Sequence, residues 1–477
     1  MEKSLDSLKS FVIIVALFGI TAKSESSPRF QSRPPIHGDP VERRKEDPVK
    51  DVTPTALARG SHEDLPHNLR DSPQRWLLAV LLFIGMIFCY AQRGALSVAT
   101  KDIMDELDLS KADMGVLLSA FFWSYSLMQM PAGWLVDRYG VKSSYALGYA
   151  FWSLASAATG LAKSLLTLNF LRMLLGIGQS VAFPASARAV ANWFPDRERG
   201  TVTATYLTGV RLGQALVAVA AAVFLPIYGW KLFFLAIGAV SLLWLAPWVA
   251  FLKKWEVTLK VSATSARPGG SSGRSFMQSL LLLKNRTVFG IFLGFFAYDY
   301  AWFVYLTWLP GYLELERGFT KAEMGIYSSI PYVAMSVIIM LSGVASDWLI
   351  RQGYRETLVR KMFITAGLVI ACLIVPAGLV EDKMTSVWLL TISLCGLGLC
   401  SPNTWTLTQA VCSKNIVGTV SGIQNFGGNV GGVIAPALTG YIAHVTQSFA
   451  LALGITGAIC VVGILSYLLL ISEEVSA

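Results

Sequence analysis

Arg93 sits in an otherwise apolar stretch, Leu77–Ala99 (LLAVLLFIGMIFCYAQRGALSVA), and Arg172 sits in a second, Leu165–Val190. Neither has an acidic residue beside it. A charge near the centre of a bilayer costs at least ~2.5–3.5 kcal/mol on insertion scales. A guanidinium kept at that cost suits a negative ligand, because its rigid fork of donors fits a carboxylate with two hydrogen bonds. Tyr90 precedes Arg93 by three residues and so shares its helical face. Its phenol suits the hydroxyl groups of such a ligand. Arg211 is a third arginine at this depth, in Gly209-Val-Arg-Leu-Gly213, whose glycines allow close helix approach. One acid falls in the middle of an apolar run: Asp299, in Phe295-Phe-Ala-Tyr-Asp-Tyr-Ala301. A lone carboxylate there is either a proton carrier or a charge partner of Arg93 or Arg211, in which case it carries no proton. These residue types point to a small organic anion held inside a membrane.

The elements that must position them are transmembrane helices. Hydrophobic residues make up 54% of the chain and charged residues 14%, against roughly 25% charged in soluble domains. Apolar runs long enough for ~30 Å of hydrocarbon recur twelve times, from Trp76–Thr100 to Phe449–Ile471. They are too long and uniform for barrel strands. The expected fold is an all-α membrane protein of twelve transmembrane helices in two pseudo-symmetric six-helix halves. The boundaries are an N-terminal extension (1–75), a first half (76–252), a linker (253–284) and a second half with a short tail (285–477). The extension is polar and reads as disordered, apart from a short apolar segment at 11–22.

Charge sets the orientation. With both ends of the bundle in the cytoplasm, the inner connections hold Arg138, Lys142, Arg197, Arg199, the basic residues from Lys253 to Arg286, and those from Arg351 to Lys361. The outer connections hold the acids from Asp102 to Asp113, then Glu314, Glu316, Glu381 and Asp382. This follows the positive-inside pattern, and it accounts for the net charge of +9 without nucleic acid. The six cysteines fall in or at the ends of the runs and the four histidines lack ligand spacing, so neither a disulfide framework nor a metal is expected. No nucleophile, cofactor motif or phosphate-binding glycine loop appears. An enzyme and ATP-driven transport are therefore disfavoured, and no cofactor is expected.

The chain also repeats itself. Gly133-Trp-Leu-Val-Asp137 ends the second run and Gly343-Val-Ala-Ser-Asp347 the eighth; Gly200-Thr-Val-Thr begins the fifth and Gly418-Thr-Val-Ser the eleventh. The stretch from Gly133 through Asp137, Arg138 and Gly140 to Lys142 resembles the signature loop of the major facilitator superfamily. The resemblance implies that Asp137, Arg138 and Asp347 belong to a charge relay holding the cytoplasmic side shut. Asp137 would then lie by the start of the eleventh helix, where the helix dipole favours a negative charge. Over residues 76–472 the chain is similar to the anion:cation symporter family. That family includes bacterial hexuronate, galactonate and glucarate permeases and, more distantly, sialin and the vesicular glutamate transporters. The carriers of this resemblance are Tyr90-Ala-Gln-Arg93-Gly, Arg172 with Gly176-Ile-Gly-Gln179, Asn192-Trp-Phe-Pro195 and Leu306-Thr-Trp-Leu-Pro310.

The resemblance implies that Arg93 binds the substrate carboxylate, that Tyr125 is a second substrate tyrosine, and that Trp405 and Asn425 are contacts from the second half. It gives Arg172 a structural or gating role. Asn403 and Thr404 also interrupt an apolar run; interhelical hydrogen bonding would explain them equally. Two departures matter: proton-coupled relatives carry acids where this chain has Gln92 and Gln179, and glutamine takes up no proton. The implied activity is secondary transport of a sugar acid, such as a hexuronate or hexonate, by alternating access. Coupling is either proton symport through Asp299 or absent, as in a facilitator or an exchanger. A dicarboxylate or organophosphate would use Arg93 and Arg211 together. A non-transporting anion receptor is the reading from another class, disfavoured by the short linker and tail. The partners expected are the anion, protons if transport is coupled, and the lipid bilayer, with a monomer as the family's state. The implied location is the cytoplasmic membrane.

Overall fold

The computed structural model describes residues 75–194, 196–253, 281–412 and 416–471. The apolar segment at 11–22, the rest of the extension up to residue 74 and most of the linker lie outside the described residues. The described chain is helical almost throughout. Its helices are α1 (Arg75–Val98), α2 (Thr100–Leu107), α3 (Lys111–Thr159), α4 (Leu165–Gln179), α5 (Ala182–Trp193), α6 (Asp196–Leu242) and α7 (Leu245–Lys253). After the linker come α8 (Arg286–Leu315), α9 (Lys321–Arg351), α10 (Glu356–Ala371), α11 (Ile374–Leu379), α12 (Lys383–Val411), α13 (Val417–Val445) and α14 (Ala450–Leu465). Within α3 and α6 two helices meet at a glycine, Gly140 (φ +80°) and Gly229 (φ +69°). A side chain is strained in that region and glycine is not.

Local sequence explains where helices start. Ser110 and Asp113 form a capping box at α3, and Thr320 and Glu323 form one at α9, each satisfying orphan backbone donors reciprocally. Ser164, Asn285 and Asp382 cap α4, α8 and α12 with single side-chain acceptors. Among the described residues, eight helical segments are long and apolar enough to cross a membrane. The protein is therefore an integral, multi-pass membrane protein. The six cysteines are free thiols.

The helices before residue 253 meet those after residue 281 along one end of the molecule. Asp102 and Lys321 form an ion pair of 2.7 Å across this seam. Ser97 donates to the Thr307 carbonyl and Ser119 to the Val433 carbonyl, each at 2.6 Å. The backbones of α3 and α13 come so close that a Cβ at Gly115 would lie 2.8 Å from the Pro436 carbonyl oxygen. Towards the other end, where α3 bends at Gly140, a Cβ at Gly133, Gly343 or Gly422 would meet nothing within 4 Å. The seam is closed at the Asp102 end.

Candidate anion site

The α1 helix delivers Arg93 to a cage of rings. Its guanidinium carbon lies 4.3 Å from the Tyr90 ring centroid, 4.4 Å from Phe121 and 4.8 Å from Tyr125. Tyr90 is on the same helical face, as its spacing requires; Phe121 and Tyr125 come from α3, one turn apart and stacked at 5.2 Å. Arg93 donates through Nη1 to the Tyr90 hydroxyl and through Nε to Gln179 Oε1, both at 3.2 Å. Gln179 is itself fixed, donating 2.9 Å to the Cys89 carbonyl. Arg93 is 5% exposed, and its Nη2 has no hydrogen-bond partner among the described residues. No carboxylate pairs with it there. The guanidinium is thus aimed by Tyr90 and Gln179, and its Nη2 keeps donor capacity in reserve.

Arg172 is 3% exposed and supports this arrangement from behind. Its Nη2 donates to the backbone carbonyl of Arg93 at 3.2 Å, and its guanidinium carbon lies 5.8 Å from the Phe121 ring centroid. Gln92 points elsewhere. Its amide donates to Ser241 at 2.5 Å and reaches Ser153 at 3.5 Å, in a buried polar knot that joins α1, α3 and α6. Neighbouring residues on a helix diverge by about 100°, so Gln92 and Arg93 face different surroundings.

Arg211 reaches the seam from α6. It is 9% exposed, its guanidinium carbon lies over the Trp302 ring of α8 at 3.6 Å, and its Nη1 is unpartnered among the described residues. Gly209 does bring α6 close to α1, where its Cβ would lie 2.6 Å from the Phe83 carbonyl oxygen. One turn on from Arg211, Gln214 donates 2.9 Å to the Tyr90 carbonyl and locks the two helices.

From the second group of helices, α8 supplies Asp299, which is half-buried and lies against Gly428 of α13. It makes no ion pair or hydrogen bond among the described residues, so it is not the contact partner of Arg93 or Arg211. Trp405 of α12 meets Phe295 edge-on at 5.1 Å, one turn from Asp299. Asn425 of α13 is half-buried with its side-chain amide unbonded among the described residues, and its carbonyl accepts from Asn429 at 2.9 Å.

Other expected residues fall outside this site. Asn403 donates to Ser342 at 2.9 Å and accepts from Arg360 at 3.2 Å, so it is an interhelical tie and not a ligand contact. Asp347 pairs with Arg360 of α10 at 2.8 Å, within the second group of helices. Arg138 is exposed and stacks on Trp134 and Tyr139 at 5.4 and 5.7 Å. The side chain of Asp137 lies outside those described. Sequence reading missed Phe121, Gln214 and Trp302. The first was detectable, four residues before Tyr125 on one helical face; the others needed the helix pairing.

A sequence model described as the Major Facilitator Superfamily matches residues 82–436. The chain belongs to this superfamily, in its anion:cation symporter branch. It is 32% identical over 426 residues to a D-galactonate transporter of Escherichia coli O6:H1, an alignment covering 86% of this chain and 99% of that one. It is 32% identical over 423 residues to a probable galactarate/D-glucarate transporter of Escherichia coli K12, covering 84% and 95%. In fold it is similar to a bacterial homologue of the human lysosomal transporter Spinster, solved inward-facing and unoccupied. That likeness has a TM-score of 0.67 at 17% identity and covers 85% of this chain and 99% of the other. Members of the superfamily are transporters and not enzymes.

Proposed function

We propose that this major facilitator protein is a secondary transporter of small hydroxylated organic anions, foremost sugar acids of the hexuronate and hexonate type. In this reading twelve helices form two halves, 76–252 and 285–477, joined by a cytoplasmic linker at 253–284. They rock about the central site in the cytoplasmic membrane, as a monomer with both bundle ends inside. The observation that carries it is Arg93: a buried guanidinium, aimed by Tyr90 and Gln179, with an open donor and no carboxylate partner among the described residues. Its nearest chemical complement is a ligand carboxylate. Tyr125 and Tyr90 on one side, and Trp405 and Asn425 on the other, offer rings and polar groups for a sugar chain. The names of the two relatives support the substrate class. Asp299, without an ion pair among the described residues, is the proposed proton carrier; with glutamine at 92 and 179, it takes the coupling role alone. Uncoupled transport or exchange is the competing reading.

The test is a thermal-shift titration of the purified protein with sugar acids, dicarboxylates and organophosphates, run beside Arg93→Ala. A ligand that binds the folded state raises its melting temperature by mass action. A sugar acid should stabilise the native protein, and its affinity should fall by about ten- to a hundredfold in Arg93→Ala, as for a lost charge-assisted bond. Stabilisation by phosphates alone, or equal stabilisation of the variant, would sink the reading.

A further inference from the structure

Arg211 lies about midway between the start of α6 and its bend at Gly229, and Trp302 about midway along α8. The guanidinium carbon of the first sits over the ring of the second at 3.6 Å. Each residue is fixed to its own group of helices. On the α6 side, Cβ atoms at Gly209 and Gly213 would lie 2.6 and 2.4 Å from the Phe83 and Ile87 carbonyl oxygens of α1. Gln214 adds its 2.9 Å bond to the Tyr90 carbonyl. On the α8 side, Tyr332 of α9 meets Trp302 edge-on at 6.1 Å, and its hydroxyl donates to the Tyr305 carbonyl at 2.9 Å. The guanidinium and the ring therefore belong to two separately braced bodies. Asp299 is within electrostatic range of Arg211 but forms no ion pair with it among the described residues. Trp302 is thus the side chain that Arg211 engages across the seam.

We propose that the Arg211–Trp302 stack is a latch at the middle of the seam, which holds the Asp102 end shut and must part before that end opens. Arg211 is 9% exposed and Trp302 4%, so the contact is made away from water, where a cation–ring pair is strongest. Opening at the Asp102 end moves one group of helices away from the other. Because each partner is braced within its own group, the stack cannot follow that motion. Water reaching the freed guanidinium offsets much of the lost ring contact, so the latch is weak enough to release. It acts independently of which anion is carried.

The test is a double-mutant cycle read at Ser119, which is sealed against Val433 on a different pair of helices. The full chain carrying Ser119→Cys is reacted with a membrane-impermeant maleimide, and the rate of the same chain without that cysteine is subtracted. Trp302→Leu and Arg211→Gln should each speed labelling by about two- to thirtyfold, the range of a buried cation–ring contact. The double variant should be no faster than either single one, because both remove the same contact. Trp302→Phe, a weaker ring that keeps the core filled, and Arg211→Lys, which keeps a cation, should fall between native and the severe variants. These two complete the cycle where a severe variant does not fold. Native rates in all variants, or effects that multiply in the double variant, overturn the latch and leave the Arg93 reading standing. Absence of binding by every sugar acid would sink that reading and leave the latch untouched.

Discussion

Arg93 shows how a buried charge is kept without an ion pair. Three rings face its guanidinium within 5 Å. Cation–π contacts contribute about 0.5–2 kcal/mol each, in sum comparable with the ~2.5–3.5 kcal/mol that inserting the charge costs. The charge is thereby tolerated but not neutralised, the condition for exchanging an anionic ligand repeatedly. Arg172 spends its visible hydrogen bond on the Arg93 carbonyl, so it fixes the backbone that presents the anchor. Asp299 is the complementary case: an acid at membrane depth with neither ion pair nor hydrogen bond among the described residues, adjoining Gly428. If it carries the proton, Asp299→Asn should bind substrate and exchange it across proteoliposomes, yet lose accumulation driven by a pH gradient. Accumulation at the native level in that variant would remove Asp299 from coupling.

At the scale of elements, the seam between the two groups of helices is polar where it is shut. Lys321 opens α9 and lies 2.8 Å from Glu314 in its own group and 2.7 Å from Asp102 across the seam. Glu314 is buried and Asp102 partly exposed, so Lys321 compensates one charge while tying down the other. Its removal should favour opening at the Asp102 end by about 1 kcal/mol, about fivefold in population, the scale of a partly exposed ion pair. Ser119, sealed against Val433, supplies the reporter. A cysteine placed there should react faster with a membrane-impermeant maleimide in the Lys321→Ala background than with lysine retained. Equal rates would show that the backbone contacts of α3 and α13, and not the ion pair, hold that end shut. At the opposite end Asp347 and Arg360 pair inside one group of helices.

The whole molecule shows a seam closed at the Asp102 end, a closure that alternating access requires to be reversible. The basic connections lie at the Gly140 end, and the positive-inside bias predicts that this end is cytoplasmic. A protease site appended after Ala477 should then be cut in inside-out vesicles and protected in intact spheroplasts. Cleavage in spheroplasts would invert the assignment. In the same preparation, a chain starting at Arg75 should transport as the full chain does, since every site residue described here follows it.

The sequence by itself determined the environment and the lineage. Composition and run length require a helical membrane protein, since only helices and closed barrels satisfy the backbone in lipid. The glycine-and-acid motifs pointed to the family, and an arginine without an acid in an apolar run marked the anchor. Those signals are local, legible within a few residues of Arg93 or Asp137. Tertiary structure decided which neighbours each polar group meets. Gln179 reaches Arg93 from 86 residues away, whereas Gln92, adjacent to Arg93 in sequence, turns away to Ser153 and Ser241. Asn403 is taken by Arg360, Arg211 lies on Trp302, and Asp299 meets neither arginine directly. The physical reason is that a helix fixes only the angle between its own side chains. Which faces meet depends on axial rotation and on the close approach that glycines permit between segments hundreds of residues apart.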